Sequence, residues 1–349
     1  LECGDLSPLW SSRPVATIVT PNLLKDLGVK PPKTKAVTGH RTPKVELIMD
    51  RSLMNFNSEV SAALGKNKPL VALESTVIAH GLPRPQNLET ARRLEQIVRE
   101  TGAVPATIAI LNGQFSAGLS DEQICCIAGS DGIRKISIRD LPIAVAQKWN
   151  GATTVASTSW IAQRAGIKVF ATGGIGGVHR GSSPDVSGDL PALATTPIVV
   201  VCSGAKIVLD LPATREWLET YGITVIGYQC NEMPAFYSRS SGLPVDVSVD
   251  SPTEVAQIFR AQQNLGIERA LLVTVPVPEE FEFPAAELER TLNAALQAAE
   301  HQQVGGRELT PFLLSRMAQM SEGATLRTNI ALLENNARVA AAIAGALAN

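Results

Sequence analysis

A regular alternation beginning at Pro69 leaves this chain few folds to choose from. Apolar runs of strand length, LVAL (70–73), ATIAIL (106–111), TTVAS (153–157), KVFAT (168–172), IVVVC (198–202), TVIGY (224–228) and ALLVTV (270–275), are separated by stretches long enough for helices. Strands apolar on both faces that alternate with helices predict a largely parallel sheet, covered on both sides. Between the first two runs Leu88, Ala91, Leu94, Ile97 and Val98 form one apolar helical stripe, with Asn87 as N-cap and Gly102 as stop. After Pro278 the pattern turns helical, through 285–301, 310–319 and 325–347. The expected architecture is an α/β fold: a three-layer α/β/α sandwich around a largely parallel sheet, in a single large domain.

Residues 1–54 do not share this pattern. They mix Pro, Ser, Thr and Lys without a sustained period and read as a poorly ordered N-terminal extension, leaving 55–349 as the catalytic domain. The lack of acidic residues between Val29 and Val45 suits an organelle-targeting remnant, and Asp5 and Asp26 oppose that reading. The net charge of −2 is spread over scattered lysines and arginines, so the basic footprint of a nucleic-acid binder is missing and a small-molecule partner is expected. No apolar run approaches the ~20 residues of a membrane span. Five cysteines without a CxxC spacing point to a reducing compartment, cytoplasmic or organellar, rather than to a zinc site.

The chemistry concentrates in VFATGGIGGVHRGSSPDVSGD, residues 169–189, where four glycines follow an apolar run and precede His179, Arg180, Asp185 and Asp189. Such glycines let backbone N–H groups approach a phosphate, but the GxGxxG spacing of a dinucleotide site is not completed. Asp185, Ser187 and Asp189 would share a face in an extended segment, and two readings fit them equally: oxygen ligands for Mg²⁺ or Mn²⁺, or the cap of a helix at Leu190. Lys206 follows IVVVCSGA at the end of a buried strand; it is either an amine nucleophile or a lysine reaching back to water. Glu74 ends the first strand, where one-sided desolvation suits an acid/base, while a capping glutamate fits the same pattern. Lys135, between Arg134 and Arg139, suits a phosphate or simply a solvated basic edge. The Gly-Ala-Thr-Thr turn of NGATTVAST leads into a buried strand and offers backbone N–H groups. His80 and Pro83–Asn87 read as a loop entering the helix.

Taken together, ALESTVIAHGLPRPQNLETA, GAVPATIAILNG, GLS, K-I-S-x-RDLP, NGATTVAST, KVFATGGIGGVHRG, D-x-S-x-D, SGAK, TPFLL and TNIALLENNA resemble, in that order, the pseudouridine-5′-phosphate glycosidase family. The resemblance runs from about Asn55 to the C-terminus. It implies reversible cleavage of the C–C glycosidic bond of pseudouridine 5′-phosphate to uracil and ribose 5-phosphate, through a lysine imine with ring-opened ribose. It further implies Lys206 as nucleophile, Glu74 as proton donor, and substrate contacts at Lys135, the Val155 backbone, Thr172, His179, Ser187, Gly188, Asp189 and Asn329. Asp185 would take a divalent metal, most often Mn²⁺, and the assembly would be a homotrimer. The loop between His179 and Asp185 is shorter than the family pattern, and no fused sugar-kinase domain follows. A Schiff-base aldolase on another sugar phosphate and a non-catalytic phosphometabolite-binding protein are the rival readings.

Overall fold

The structure, a computed structural model, describes residues 53–181 and 185–348. Among these residues eleven strands form one sheet and two form a small second one. The strands are β1 (Met54–Phe56), β2 (Leu70–Glu74), β3 (Val104–Leu111), β4 (Gln114–Ala117), β5 (Arg134–Ile136), β6 (Gly151–Thr153), β7 (Val169–Ala171), β8 (Val178–His179), β9 (Val199–Cys202), β10 (Leu209–Asp210), β11 (Thr224–Tyr228), β12 (Val247–Val249) and β13 (Leu271–Thr274). The sheet runs in the order β1-β4-β3-β2-β7-β9-β13-β11-β12. It is parallel from β3 to β12, while β4 and β6 pair with β3 antiparallel. Val199–Cys202 and Leu271–Thr274 are wholly buried, which is why their sequences carry no polar alternation.

Helices cover both faces. Ala324–Ala348 crosses β2, β7 and β9 beside the helices Gln86–Glu100 and Pro252–Asn264, whereas Val155–Arg164 packs on β2, β3 and β7 from the other side. Ser251 starts the Pro252–Asn264 helix with a reciprocal capping box to Glu254. Among the described residues only Ala324–Ala348 is long and apolar enough to cross a membrane, and its apolar residues Leu332, Ala337, Ala340 and Ala341 are buried against the protein's own core.

Six of the seven apolar runs are strands or contain one. TTVAS is not: β6 stops at Thr153, Thr154 is the N-cap, and Val155 opens the Val155–Arg164 helix. The β-branched residues suggested a strand, but residues 155–159 bury completely against the sheet, and that packing overrides local preference. Asn87 is likewise not the N-cap. The Gln86–Glu100 helix starts after Pro85, and the Asn87 amide instead donates to the carbonyls of Ile78 and Ala128 at 2.9 and 3.0 Å. The segment preceding it is an ordered π-helical turn, Val77–Gly81, rather than a loop. The expected extension falls at 1–52 outside the described residues; its predicted end at 54 falls within β1, whose Met54 is paired with Phe115.

The order of strands places the site. From β2 the chain crosses to β3 on one side and returns at β7 on the other, so the seam between β2 and β7 is a topological switch point. Ligands of open α/β sheets bind outside the carboxyl ends of strands at such seams.

Candidate active site

Glu74 closes β2 and Thr172 directly follows β7, so the two face each other across that seam. The Thr172 hydroxyl donates to Glu74 Oε1 in a short hydrogen bond. Glu74 is buried, and burial pushes its carboxyl above the usual carboxylate range against the opposing pull of Lys206 and of the Thr172 bond. Beneath it, the ends of β2, β3 and β6 are tied by hydroxyls: Ser75 Oγ donates to the Ile108 carbonyl at 2.6 Å and accepts from Thr153 N–H at 2.9 Å.

Lys206 arrives from β9 through a loop that continues the β7–β9 pairing beyond the strands. Ser203 N–H donates to Gly173 O, Ile175 N–H to Gly204 O, and Lys206 N–H to Ile175 O, at 2.9–3.1 Å. Gly204 is required here: its φ is +79°, and a Cβ would collide with the Pro234 carbonyl. The result aims the Lys206 ammonium at the Gly174 carbonyl, to which it donates. Asn336, fully buried on the Ala324–Ala348 helix, secures both strand ends by donating to Thr172 O at 2.9 Å and to Ser203 Oγ at 3.1 Å.

The D-x-S-x-D segment divides its carboxylates between two tasks. Asp189 is buried at the start of the helix Asp189–Leu193, and its two oxygens accept from Gly176 N–H at 2.8 Å and Ala156 N–H at 2.9 Å. It therefore latches the glycine loop to the amino end of the Val155–Arg164 helix. The cap reading of this segment does not hold for Asp189: Gly188 is the N-cap of that helix and no side chain caps it, while the carboxylate is taken up by N–H groups from two other elements. Gly176 has no room for a side chain, since a Cβ would strike Ser187 Oγ. Asp185 is exposed at the cleft, its carbonyl accepting from His179 N–H at 2.9 Å. No group of three His, Cys, Asp or Glu side chains able to hold a metal occurs among the described residues. Asp185 is the carboxylate of this segment left facing the opening, so a cation here would take one protein oxygen and complete its shell from water and substrate.

Glu74, Lys206 and the segment 185–189 face one cleft of about 790 Å³. Glu74, Lys206, Lys135, Val155, His179 and Asn329 line it, as do Asp185, Ser187, Gly188 and Asp189. Thr172 stands behind Glu74 and reaches the cleft only through it. Lys135 is pulled below the usual lysine range by burial and by Lys206, with Asp189 and Glu74 opposing. Sequence reasoning missed Asn336, although its spacing of seven from Asn329 puts both on one helix face. It also missed Ser75 and Thr153, whose hydroxyls are indistinguishable from any others until the strands are paired.

A buried carboxyl group and a primary amine, at strand ends on either side of β7 and lining one cleft, are the equipment for proton transfer beside a nucleophile. A family model described as Indigoidine synthase A like protein matches residues 59–346. An indigoidine synthase A-like protein of Thermotoga maritima superposes with a TM-score of 0.78 at 41% identity, over 85% of this chain and 97% of that one. The prealnumycin C-glycosynthase AlnA, solved with ribulose 5-phosphate, superposes with a TM-score of 0.78 at 38% identity, over 84% and 97%. Fold and site thus define an α/β enzyme of the indigoidine synthase A-like class. Pseudouridine-5′-phosphate glycosidases of Caldanaerobacter subterraneus subsp. tengcongensis and Symbiobacterium thermophilum are each 50% identical, over 83% and 84% of this chain and 95% and 98% of theirs. The chain belongs to the pseudouridine-5′-phosphate glycosidase family.

Proposed function

We propose that this protein reversibly cleaves the C–C glycosidic bond of pseudouridine 5′-phosphate, giving uracil and ribose 5-phosphate. The observation that carries the reading is the convergence of Glu74 and Lys206 on one cleft at the β2–β7–β9 strand ends, in a chain half identical to enzymes of that name over nearly their whole length. A carbon leaving group cannot be detached by protonating a heteroatom at the anomeric position. Opening the ribose breaks the bond from its first carbon to the ring oxygen, which leaves as a hydroxyl, and a new bond joins that carbon to the Lys206 nitrogen, whose lone pair can then expel the base carbon. As the bond to the base carbon breaks, its electrons stay with uracil and Glu74 protonates that carbon, leaving a lysine imine of ribose 5-phosphate. Water then hydrolyses the imine to the aldehyde and free Lys206. Burial pushes the Glu74 carboxyl upward, toward the protonated form that the donor step needs.

Lys135 suits the phosphate by its charge, and the amino end of the Val155–Arg164 helix, where Asp189 already holds the Ala156 N–H, adds its dipole. His179 and Asn329 supply polar contacts nearby. Asp185 is the residue that would hold a divalent cation such as Mn²⁺, and the ion would supply positive charge toward the substrate's oxygens. A homotrimer is the assembly proposed for the active enzyme. Release of uracil from pseudouridine 5′-phosphate, followed with and without Mn²⁺, tests the reading. Turnover of other sugar phosphates with no uracil formed would instead identify a Schiff-base aldolase.

A further inference from the structure

We infer that Thr76 and His80 form a subsite for the imide edge of a pyrimidine base, Thr76 donating to a ring carbonyl and His80 accepting from the neighbouring ring N–H. The inference rests on the proposed activity, to which it adds the place and the selectivity of base binding. Four buried side-chain polar atoms lack a hydrogen-bond partner among the described residues: Thr76 Oγ1, His80 Nε2, Ser159 Oγ and Arg215 Nη1. Of these four residues, Thr76 and His80 line the cleft; the other two do not. Buried polar groups in folded proteins are nearly always satisfied, so two orphans side by side in a ligand cavity point to partners that the ligand brings.

Their chemistry narrows the ligand. Thr76 precedes and His80 lies within the π-helical turn Val77–Gly81, four positions apart, so their side chains rise from one side of that turn. The His80 ring also bonds the Ile133 backbone in a way that favours its protonated form, which is a bond to the carbonyl. Since Nε2 has no partner, Nδ1 makes that bond, and the neutral ring then presents a bare acceptor at Nε2. Burial and the nearby Lys135 of β5 push the ring toward its neutral form, against the weaker opposing effects of Glu308, at the start of the Leu309–Met320 helix, and of the Ile133 bond. An acceptor beside a hydroxyl donor matches adjoining N–H and C=O groups, as in uracil. For a base held in the same orientation, the amino and ring-nitrogen edge of cytosine reverses the order of donor and acceptor and sets its bare ring nitrogen against the His80 acceptor. Position agrees: Thr76 stands two residues beyond Glu74, and the base must lie beside Glu74 to receive its proton.

The test measures equilibrium binding by NMR with uracil, cytosine and 1,3-dimethyluracil as probes, and with ribose 5-phosphate in separate samples so that the proposed reverse reaction cannot intervene. The parent should prefer uracil over the dimethyl compound, which keeps both carbonyls but has no ring N–H. Thr76→Val and His80→Phe should each weaken uracil about tenfold while leaving ribose 5-phosphate within about twofold. In His80→Phe the preference over 1,3-dimethyluracil should collapse, and His80→Gln, which restores an acceptor, should recover part of it. The Thr76→Val change is close to isosteric and keeps the test valid if the His80 variants fold poorly. Loss of ribose 5-phosphate affinity with uracil unchanged would assign these atoms to the sugar-phosphate end and overturn the subsite. So would equal binding of the three probes by the parent. Because binding is read without turnover, a parent that binds uracil selectively yet cleaves no pseudouridine 5′-phosphate would refute the proposed activity alone.

Discussion

Two loops meet over the cleft, and they treat their polar atoms in opposite ways. In the glycine loop after β7, Gly176 N–H is taken by Asp189, Val178 N–H by Thr214 Oγ1 at 3.0 Å, and the Thr172 carbonyl by Asn336. After β2, the turn through Thr76 and His80 leaves side-chain atoms without partners. The first loop is framework, complete before any ligand arrives. The second is receptor, complete only with one. Stability and recognition are therefore carried by different halves of the same cavity wall, which substitutions can separate.

The largest expected effect falls on the amine that links the two halves. Lys206→Arg keeps a cation but removes the nucleophile, and uracil release should fall by about a thousandfold or more. Borohydride added with ribose 5-phosphate should fix the sugar onto the Lys206 peptide in the parent and not in this variant. Labelling at Lys135 would move the imine elsewhere.

Glu74→Gln should lower turnover by on the order of 10²–10⁴-fold and also separate activity from stability. A carboxyl whose folded pKa is raised stabilises the fold fully below its unfolded pKa and loses that contribution as pH rises through the folded value. The uncharged variant escapes the loss. Its melting temperature should exceed the parent's at pH 8 and match it at pH 4; an equal or lower value at pH 8 would show that the ionised form is well solvated in the fold.

Asp189→Asn probes the framework half. An amide nitrogen would oppose one of the two backbone N–H groups that Asp189 now accepts, costing about 1–3 kcal/mol. Thermal unfolding should register that loss along with reduced turnover, in contrast to Thr76→Val, whose effect belongs to the base. If Asp189→Asn melts like the parent, the framework assignment fails.

The smallest effect belongs to Asp185, exposed at the rim. Asp185→Asn should weaken the response to added Mn²⁺ by about tenfold with no change in melting temperature. An unaltered Mn²⁺ titration would remove the metal from this side chain.

The fold was legible where one physical cause dominates. Six buried runs announce strands because a doubly covered sheet tolerates only apolar side chains there. Short pieces such as β8 and β10, two residues each, carry no pattern of their own and exist only because their partners hold them. TTVAS misled because burial decided its conformation, not propensity. In the site, residue type and position marked Glu74 and Lys206 as candidates, but a capping glutamate and a lysine reaching water fitted the same patterns, and the family resemblance decided between them. Asp189 and Asn336 were harder. Their importance lies in which backbone groups they satisfy, and those neighbours come from distant parts of the chain.

That last point bears on when the enzyme comes into being. The Thr172–Glu74 bond joins non-consecutive strands, and Asn336, far along the chain, fastens the strand ends on which both Thr172 and Lys206 depend. Contacts of such long sequence separation form only after extensive loop closure has been overcome. A partly folded chain can display β2, the glycine loop and the lysine and still have no working cavity. Catalysis is in this sense a report on completed folding: no subset of the strands acquires it early, and an intermediate that accumulated would be silent rather than misdirected.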